Sequence, residues 1–236
     1  MLISLAARAA DHSRRLAALT TVLVVAFVGA FASSASAMSP APTSEAGVVS
    51  VLRSNINGYW AQIFAGVGRP YGGPAVGFYN PGSSLTSCGW TSNPSPFYAE
   101  NSFYCPPDRA IWLDTGWNQA SMRSRGDYAA GVIFAHEWAH HVQMWRGLNR
   151  AAYATFRWEL MADCLAGMST RHGVRTGVLN GTDFYEGQNE LYALGDYAYS
   201  SRDHHGTPAQ RKAWYTYGYN NAYNLYTCDP ALSAAL

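Results

Sequence analysis

Residues 136–140 read His-Glu-Trp-Ala-His, an H-E-x-x-H inside an apolar stretch that ends at Gly147. At 3.6 residues per turn, positions four apart share a helix face, so both imidazoles can reach one ion. Glu137 lies about 100° around the helix from His136. There it is close to that ion without ligating it, the place for a general base acting on a metal-activated water. His141 projects about 140° from His136 and reads as a packed residue or a ligand's partner.

A third ligand decides whether the five residues are more than coincidence, and the next helical stretch supplies one. Glu159 follows His140 after residues 141–158, enough chain to leave the first helix at Gly147, turn, and run back antiparallel past the histidines. Asp163 shares the face of Glu159 four residues on. Glu159 can thus ligate zinc while Asp163 accepts a hydrogen bond from the free ring nitrogen of His136 or His140. Both carboxylates sit in the apolar run Trp158–Ala166, where an unpartnered carboxylate is costly. Two His and one carboxylate leave a fourth position for water, the pattern of a catalytic rather than a structural zinc site. With Zn2+ as cofactor, the pKa of a bound water falls toward about 7, and Glu137 passes its proton to a departing amine. Amide hydrolysis also needs an oxyanion donor besides the metal. His205, on a Gly-adjacent turn ahead of a capped helix, is the second catalytic candidate. His204 reads as a loop residue, and His172 as a charge at a helix C-terminus.

The chain begins with Arg8, Arg14 and Arg15, an apolar run from Leu16 to Phe31, and Ala35-Ser36-Ala37. That order is a secretory signal peptide over residues 1–37. Its apolar run is shorter than the ~20 residues of a comfortable membrane span, and Ser13-Arg14-Arg15 raises a twin-arginine route. Cleavage leaves 38–236 as one domain with no further membrane span, so the expected location is extracellular. The net charge is +1 before cleavage, and removal of three arginines and one aspartate makes it −1. That balance excludes a dedicated nucleic-acid binder. Charged residues are only 13% of the chain, which fits an exported protein with an uncharged polar coat. Cys88, Cys105, Cys164 and Cys228 then read as two disulfides with three possible pairings. The preferred pairing is Cys88–Cys105, closing a turn-rich loop, with Cys164–Cys228 tying the C-terminus to a helix.

The elements expected are mainly helical, of α+β class. Apolar residues from Val48 to Ile63 recur at helical spacing and stop near Gly66. Residues 67–108 are turn-rich, with short strand-like pieces at Val76–Tyr79 and Phe103–Cys105. Ala110–Leu113 is the best strand candidate. Asp127 serves as N-cap of a helix from Tyr128 to about Arg146. Further helices are expected at about Ala152–Arg171, stopping at Gly173, at Thr182–Leu194, and from Thr207, where Pro208 and Gln210 complete a capping box.

His136–Gln143, Glu159–Gly167 and His205–Arg211, with Phe103–Pro106 and Ile111–Asp114 upstream, together resemble the bacterial family of neutral zinc metallopeptidases. The resemblance implies a zincin-like domain with a small β-sheet beside the active-site helix and zinc held by His136, His140 and Glu159. It also implies a strand edge over the cleft that pairs with an extended substrate, here Ala110–Leu113. The reaction class is then peptide-bond hydrolysis of a peptide or protein substrate. The alternatives are a noncatalytic secreted domain that keeps zinc for stability and an amidase acting on cell-wall peptides.

Overall fold

The computed structural model describes residues 42–80, 85–90 and 101–234, so the signal-peptide reading of residues 1–37 lies outside the described part. The helices are α1 (Glu45–Ala65), α2 (Thr115–Arg125), α3 (Asp127–Trp145), α4 (Thr155–Arg175), α5 (Gly181–Ala193) and α6 (Pro208–Asn220). The strands are β1 (Ala75–Tyr79), β2 (Leu85–Thr86), β3 (Gly89–Trp90), β4 (Phe103–Cys105) and β5 (Ala110–Asp114). The class is α+β and mainly helical, with a small mixed sheet. Among the described residues, no helix is long and apolar enough to cross a membrane.

Local chemistry sets most helix starts. Ser44 accepts a hydrogen bond from the Gly47 N–H, and Asp114 from the Trp117 N–H. Asn180 with Asp183, and Thr207 with Gln210, form full capping boxes, with Pro208 at the first position of α6. The start of α3 is different. Asp127 was the expected N-cap, but it is the first helical residue, and Gly126 precedes it at φ 102° without a side-chain cap. The cap comes from α5: the Glu186 carboxylate accepts the Tyr128 N–H at 3.0 Å. A Cβ on residue 126 would lie 2.1 Å from the Glu186 carboxyl carbon. Glycine is therefore required there by both conformation and space. The beginning of α4 also differs from expectation. Asn149 caps a short 3-10 turn at Arg150–Ala152, the helix starts only at Thr155, and it runs through Gly173 to Arg175.

α3 is apolar on nearly every side and is accordingly central, with almost every residue from Tyr128 to Gln143 buried. β5 is the middle strand of the order β1-β5-β4, parallel to β1 and antiparallel to β4. This corrects the edge reading of Ala110–Leu113. Ala110, Ile111 and Trp112 are paired on both sides and Leu113 pairs with Phe78; the edges are β1 and β4, and it is Phe103–Cys105 of β4 that borders the cleft.

α4 and α6 meet backbone to backbone. A Cβ on Gly218 would fall 1.8 Å from the Cys164 carbonyl oxygen, and one on Gly167 2.1 Å from that of Tyr215. The Cys164–Cys228 disulfide holds the C-terminal segment to the same stretch of α4, while Cys88–Cys105 fastens the β2–β3 hairpin to β4. These are the two preferred pairings. Gly218→Ala is therefore expected to destabilise the fold by about 3 kcal/mol or more, because helix backbone cannot yield as a side chain can. Denaturant unfolding of the variant measures this.

The buried start of α1 gives a pH-dependent expectation. Glu45 receives a hydrogen bond from Asn118 of α2. Burial, aided by nearby Asp114, raises its pKa from 4.5 to about 7 against that bond. A carboxyl with a raised folded pKa is protonated more in the folded than in the unfolded state between those values. Its contribution to stability thus falls as pH rises from about 4.5 to about 7. Glu45→Gln should raise Tm relative to the unaltered chain at pH 8, with the gain shrinking at pH 5.

Candidate metal centre

α3 carries His136, Glu137 and His140, and α4 runs beside it, bringing Glu159 and Asp163 alongside. His136 Nε2 lies 3.0 Å and His140 Nε2 3.3 Å from the same oxygen, Glu159 Oε2. Donor atoms of His136, Glu137 and His140 lie within 4.8 Å of one another. Ligand atoms about 2.0–2.1 Å from a tetrahedral zinc ion stand roughly 3.3 Å apart, so the two nitrogens and the Glu159 oxygen have the spacing of a shared coordination sphere.

The far side of each imidazole is fixed. His136 Nδ1 pairs with Asp163 Oδ1 at 2.8 Å. Of the two histidines open in the sequence reading, His136 is the one Asp163 holds. His140 Nδ1 instead pairs with Gln143 Oε1 at 2.8 Å, and Gln143 is itself aligned by donating to the Trp158 carbonyl at 2.8 Å. Both contacts place a proton on Nδ1 and turn Nε2 inward, as metal-binding histidines require.

Asp163 is fully buried and would be prohibitive alone. Arg211 of α6 compensates it with a bidentate contact, Nε to Oδ2 and Nη2 to Oδ1, each 2.8 Å. The guanidinium also donates to the Leu194 carbonyl at 3.2 Å. Glu137 is held from the opposite wall, where its Oε2 accepts the Tyr104 N–H of β4 at 2.8 Å.

Charge in this buried cluster depends on the protons its histidines carry. Burial opposes ionisation of His136, but hydrogen bonds to Asp163 and Glu159 outweigh it and push its pKa up to about 10. Burial likewise opposes charge on His140, and Glu159 raises it. Glu159 is driven well below its ordinary value by both histidines in spite of burial. Asp163 is lowered chiefly by Arg211 against burial, while burial raises Glu137. With both imidazoles deprotonated to ligate, three carboxylates would face one guanidinium, and a divalent cation would replace the positive charge that the raised imidazoles otherwise take up as protons. The donor set fits zinc.

A cleft of about 720 Å³ opens above these groups, bounded by β4 on one side and by Trp158 and His205 on the other. His205 is half exposed on the cleft wall, its backbone N–H bonded to Asp196 Oδ2 at 3.0 Å. Desolvation by the wall lowers its ring pKa in spite of Glu159. His204 is buried and bonded through Nδ1 to Asp196. His141 packs away from the cleft, with Nε2 on the Gly72 carbonyl and Nδ1 on the Tyr104 hydroxyl. His172 stacks on Tyr59. The acids Asp127, Asp183 and Glu186 gather at the start of α3, where Glu186 acts as its cap.

Sequence reasoning assigned no role to Gln143 or Arg211. Gln143 stands one turn after His140, a spacing that brings side chains together. Arg211 had no comparable signal, because its partner is 48 residues away.

The family model described as "Putative neutral zinc metallopeptidase" matches residues 16–230, and the chain belongs to that family. It is 29% identical over 219 residues to "Uncharacterized protein YpfJ" of Escherichia coli K12, covering 82% of this chain and 72% of the relative. It is also 29% identical over 214 residues to "Uncharacterized protein Rv2575" of Mycobacterium tuberculosis H37Rv, covering 78% and 69%. No solved structure matches the chain.

Arg211→Met strands the Asp163 carboxylate in the interior and should cost about 3–5 kcal/mol. Asp163→Leu combined with Arg211→Met should recover most of that loss. Urea unfolding of both variants checks the pair.

Proposed function

From this family membership and the geometry of the cleft, we propose that the chain is a secreted zinc peptidase that hydrolyses peptide bonds. In this reading His136, His140 and Glu159 hold the metal, Glu137 is the general base, and His205 assists from the opposite wall. The observation that carries it is the convergence of both Nε2 atoms on one Glu159 oxygen, beside a carboxylate that the same group leaves free for proton transfer.

When bound, zinc supplies a Lewis acid that acidifies water and polarises a carbonyl. The remaining work belongs to the chain. Glu137 keeps one oxygen on the Tyr104 N–H, so its other oxygen is fixed in direction and can take a proton from the attacking water. It then delivers that proton to the departing amine nitrogen, which must leave as a neutral amine. Asp163 and Gln143 keep the two imidazoles from rotating, and Arg211 keeps Asp163 ionised. His205, neutral at pH 7 because its pKa is lowered, still carries one N–H for the oxygen of the carbonyl under attack. Two disulfides agree with export to an oxidising compartment, and the order of residues 1–37 supports secretion.

Glu137→Gln preserves the shape and the Tyr104 contact but cannot accept a proton. Hydrolysis of a mixed peptide library should fall at least ~100-fold, with zinc content and Tm unchanged. Activity equal to the unaltered chain would exclude Glu137 as the base. Chelation should abolish hydrolysis and lower Tm, and added zinc should restore both, as read by parallel activity and thermal-shift assays.

A further inference from the structure

We propose that Arg109 forms an anion-binding subsite at one end of the cleft and selects peptides carrying an acidic side chain close to the cleaved bond. The inference takes its substrate class from the peptidase reading. It starts from the shape of the cleft, which continues past Tyr104, Pro106 and Met144 into a second recess of about 390 Å³. Two residues, Arg109 and Trp145, complete that recess, and among the described residues its lining contains no carboxylate.

Arg109 is fixed by its backbone. It closes the turn between β4 and β5 at φ 49°, the one non-glycine residue with positive φ among those described. Its N–H donates to the Pro106 carbonyl at 3.1 Å, and its carbonyl accepts the Ala75 N–H at 3.0 Å. Glycine is the default residue in such a conformation. A long cation there is a local exception of the kind that gathers at binding sites.

The side chain is placed as well. The Arg109 guanidinium lies over the Trp145 ring, 5.6 Å from its centroid, and the indole is anchored by donation to the Pro70 carbonyl at 2.9 Å. Among the described residues no carboxylate pairs with this guanidinium. Asp108, its neighbour, is occupied elsewhere, accepting the Ser87 N–H at 3.0 Å. Arg109 is therefore a preorganised cation whose fork is open to a ligand carboxylate.

The distance to the reacting groups is short. Tyr104 lends its N–H to Glu137 and also lines the recess. An extended chain beside β4 advances roughly 3.3 Å per residue, so going from Tyr104 to Pro106 takes about two residues. An acid reaching Arg109 therefore lies within about three residues of the bond at the metal.

The test uses zinc-loaded Glu137→Gln protein, which does not consume its ligand, and end-blocked neutral peptides carrying a single Glu, Gln or Lys at each position in turn. Titration calorimetry at low salt should show one register at which Glu binds at least ~10-fold tighter than Gln, with Lys weaker than either. Adding Arg109→Gln should erase the Glu preference, so that the Glu and Gln peptides bind that variant with equal Kd. Equal Kd values for Glu and Gln, a preference that survives Arg109→Gln, or no binding of any peptide would overturn the subsite. Cleavage by the unaltered protein separates the two ideas. Cleavage without acid preference removes the subsite alone, and an Arg109-dependent preference without cleavage removes the peptidase reading alone.

Discussion

A single buried carboxylate, Asp163, organises the interior of this molecule. It has no access to solvent, and both of its oxygens are used: one is shared by His136 and Arg211, the other is taken by Arg211. An isolated carboxylate in such a place would take up a proton. The guanidinium that prevents this comes from α6, so α6 must lie hard against α4. Gly167 and Gly218 permit that approach, and the Cys164–Cys228 bridge secures the same region. Helix packing and imidazole orientation are thus one problem with one solution. If α6 moved outward, Asp163 would lose its charge partner and His136 would lose the contact that turns Nε2 toward Glu159.

The cleft has a second anchor in the sheet. β4 is an edge strand, and its Tyr104 N–H points outward to Glu137 instead of inward to β5. The Glu137 carboxylate is therefore tethered to the strand that borders the cleft. An extended ligand lying along that strand would be held in register with Glu137. α3 joins the two halves of the arrangement, since its buried faces pack on the core while its histidine face carries the site.

Features set by neighbours in sequence were legible, and those set by distant parts of the chain were not. Thr207, Pro208 and Gln210 announce their helix because a cap is a contact between residues three apart. His136, Glu137, His140, Glu159 and Asp163 could be grouped because helical periodicity alone places them on facing surfaces. The start of α3 was misassigned to Asp127 because its true cap, Glu186, is 58 residues away on α5. The edge over the cleft was misassigned to β5 because strand order follows no local rule, and Ala110–Leu113 has the stronger apolar signal for the very reason that it is the middle strand. α2 went unread because Thr115–Arg125 buries few apolar side chains and rests on the Asp114 cap and on polar contacts such as Ser121 with Glu190. Arg211 is the most consequential omission, since only the crossing of α4 and α6 shows what it holds.

The central claim is that His136, His140 and Glu159 form one metal centre. The most direct measurement is a crystal structure of the zinc-loaded protein with diffraction data on both sides of the zinc absorption edge. The expected result is one anomalous peak per chain, within about 2.0–2.2 Å of both Nε2 atoms and a Glu159 oxygen. A peak at the Asp127, Asp183 and Glu186 cluster instead, or no peak in the cleft at saturating zinc, would contradict it.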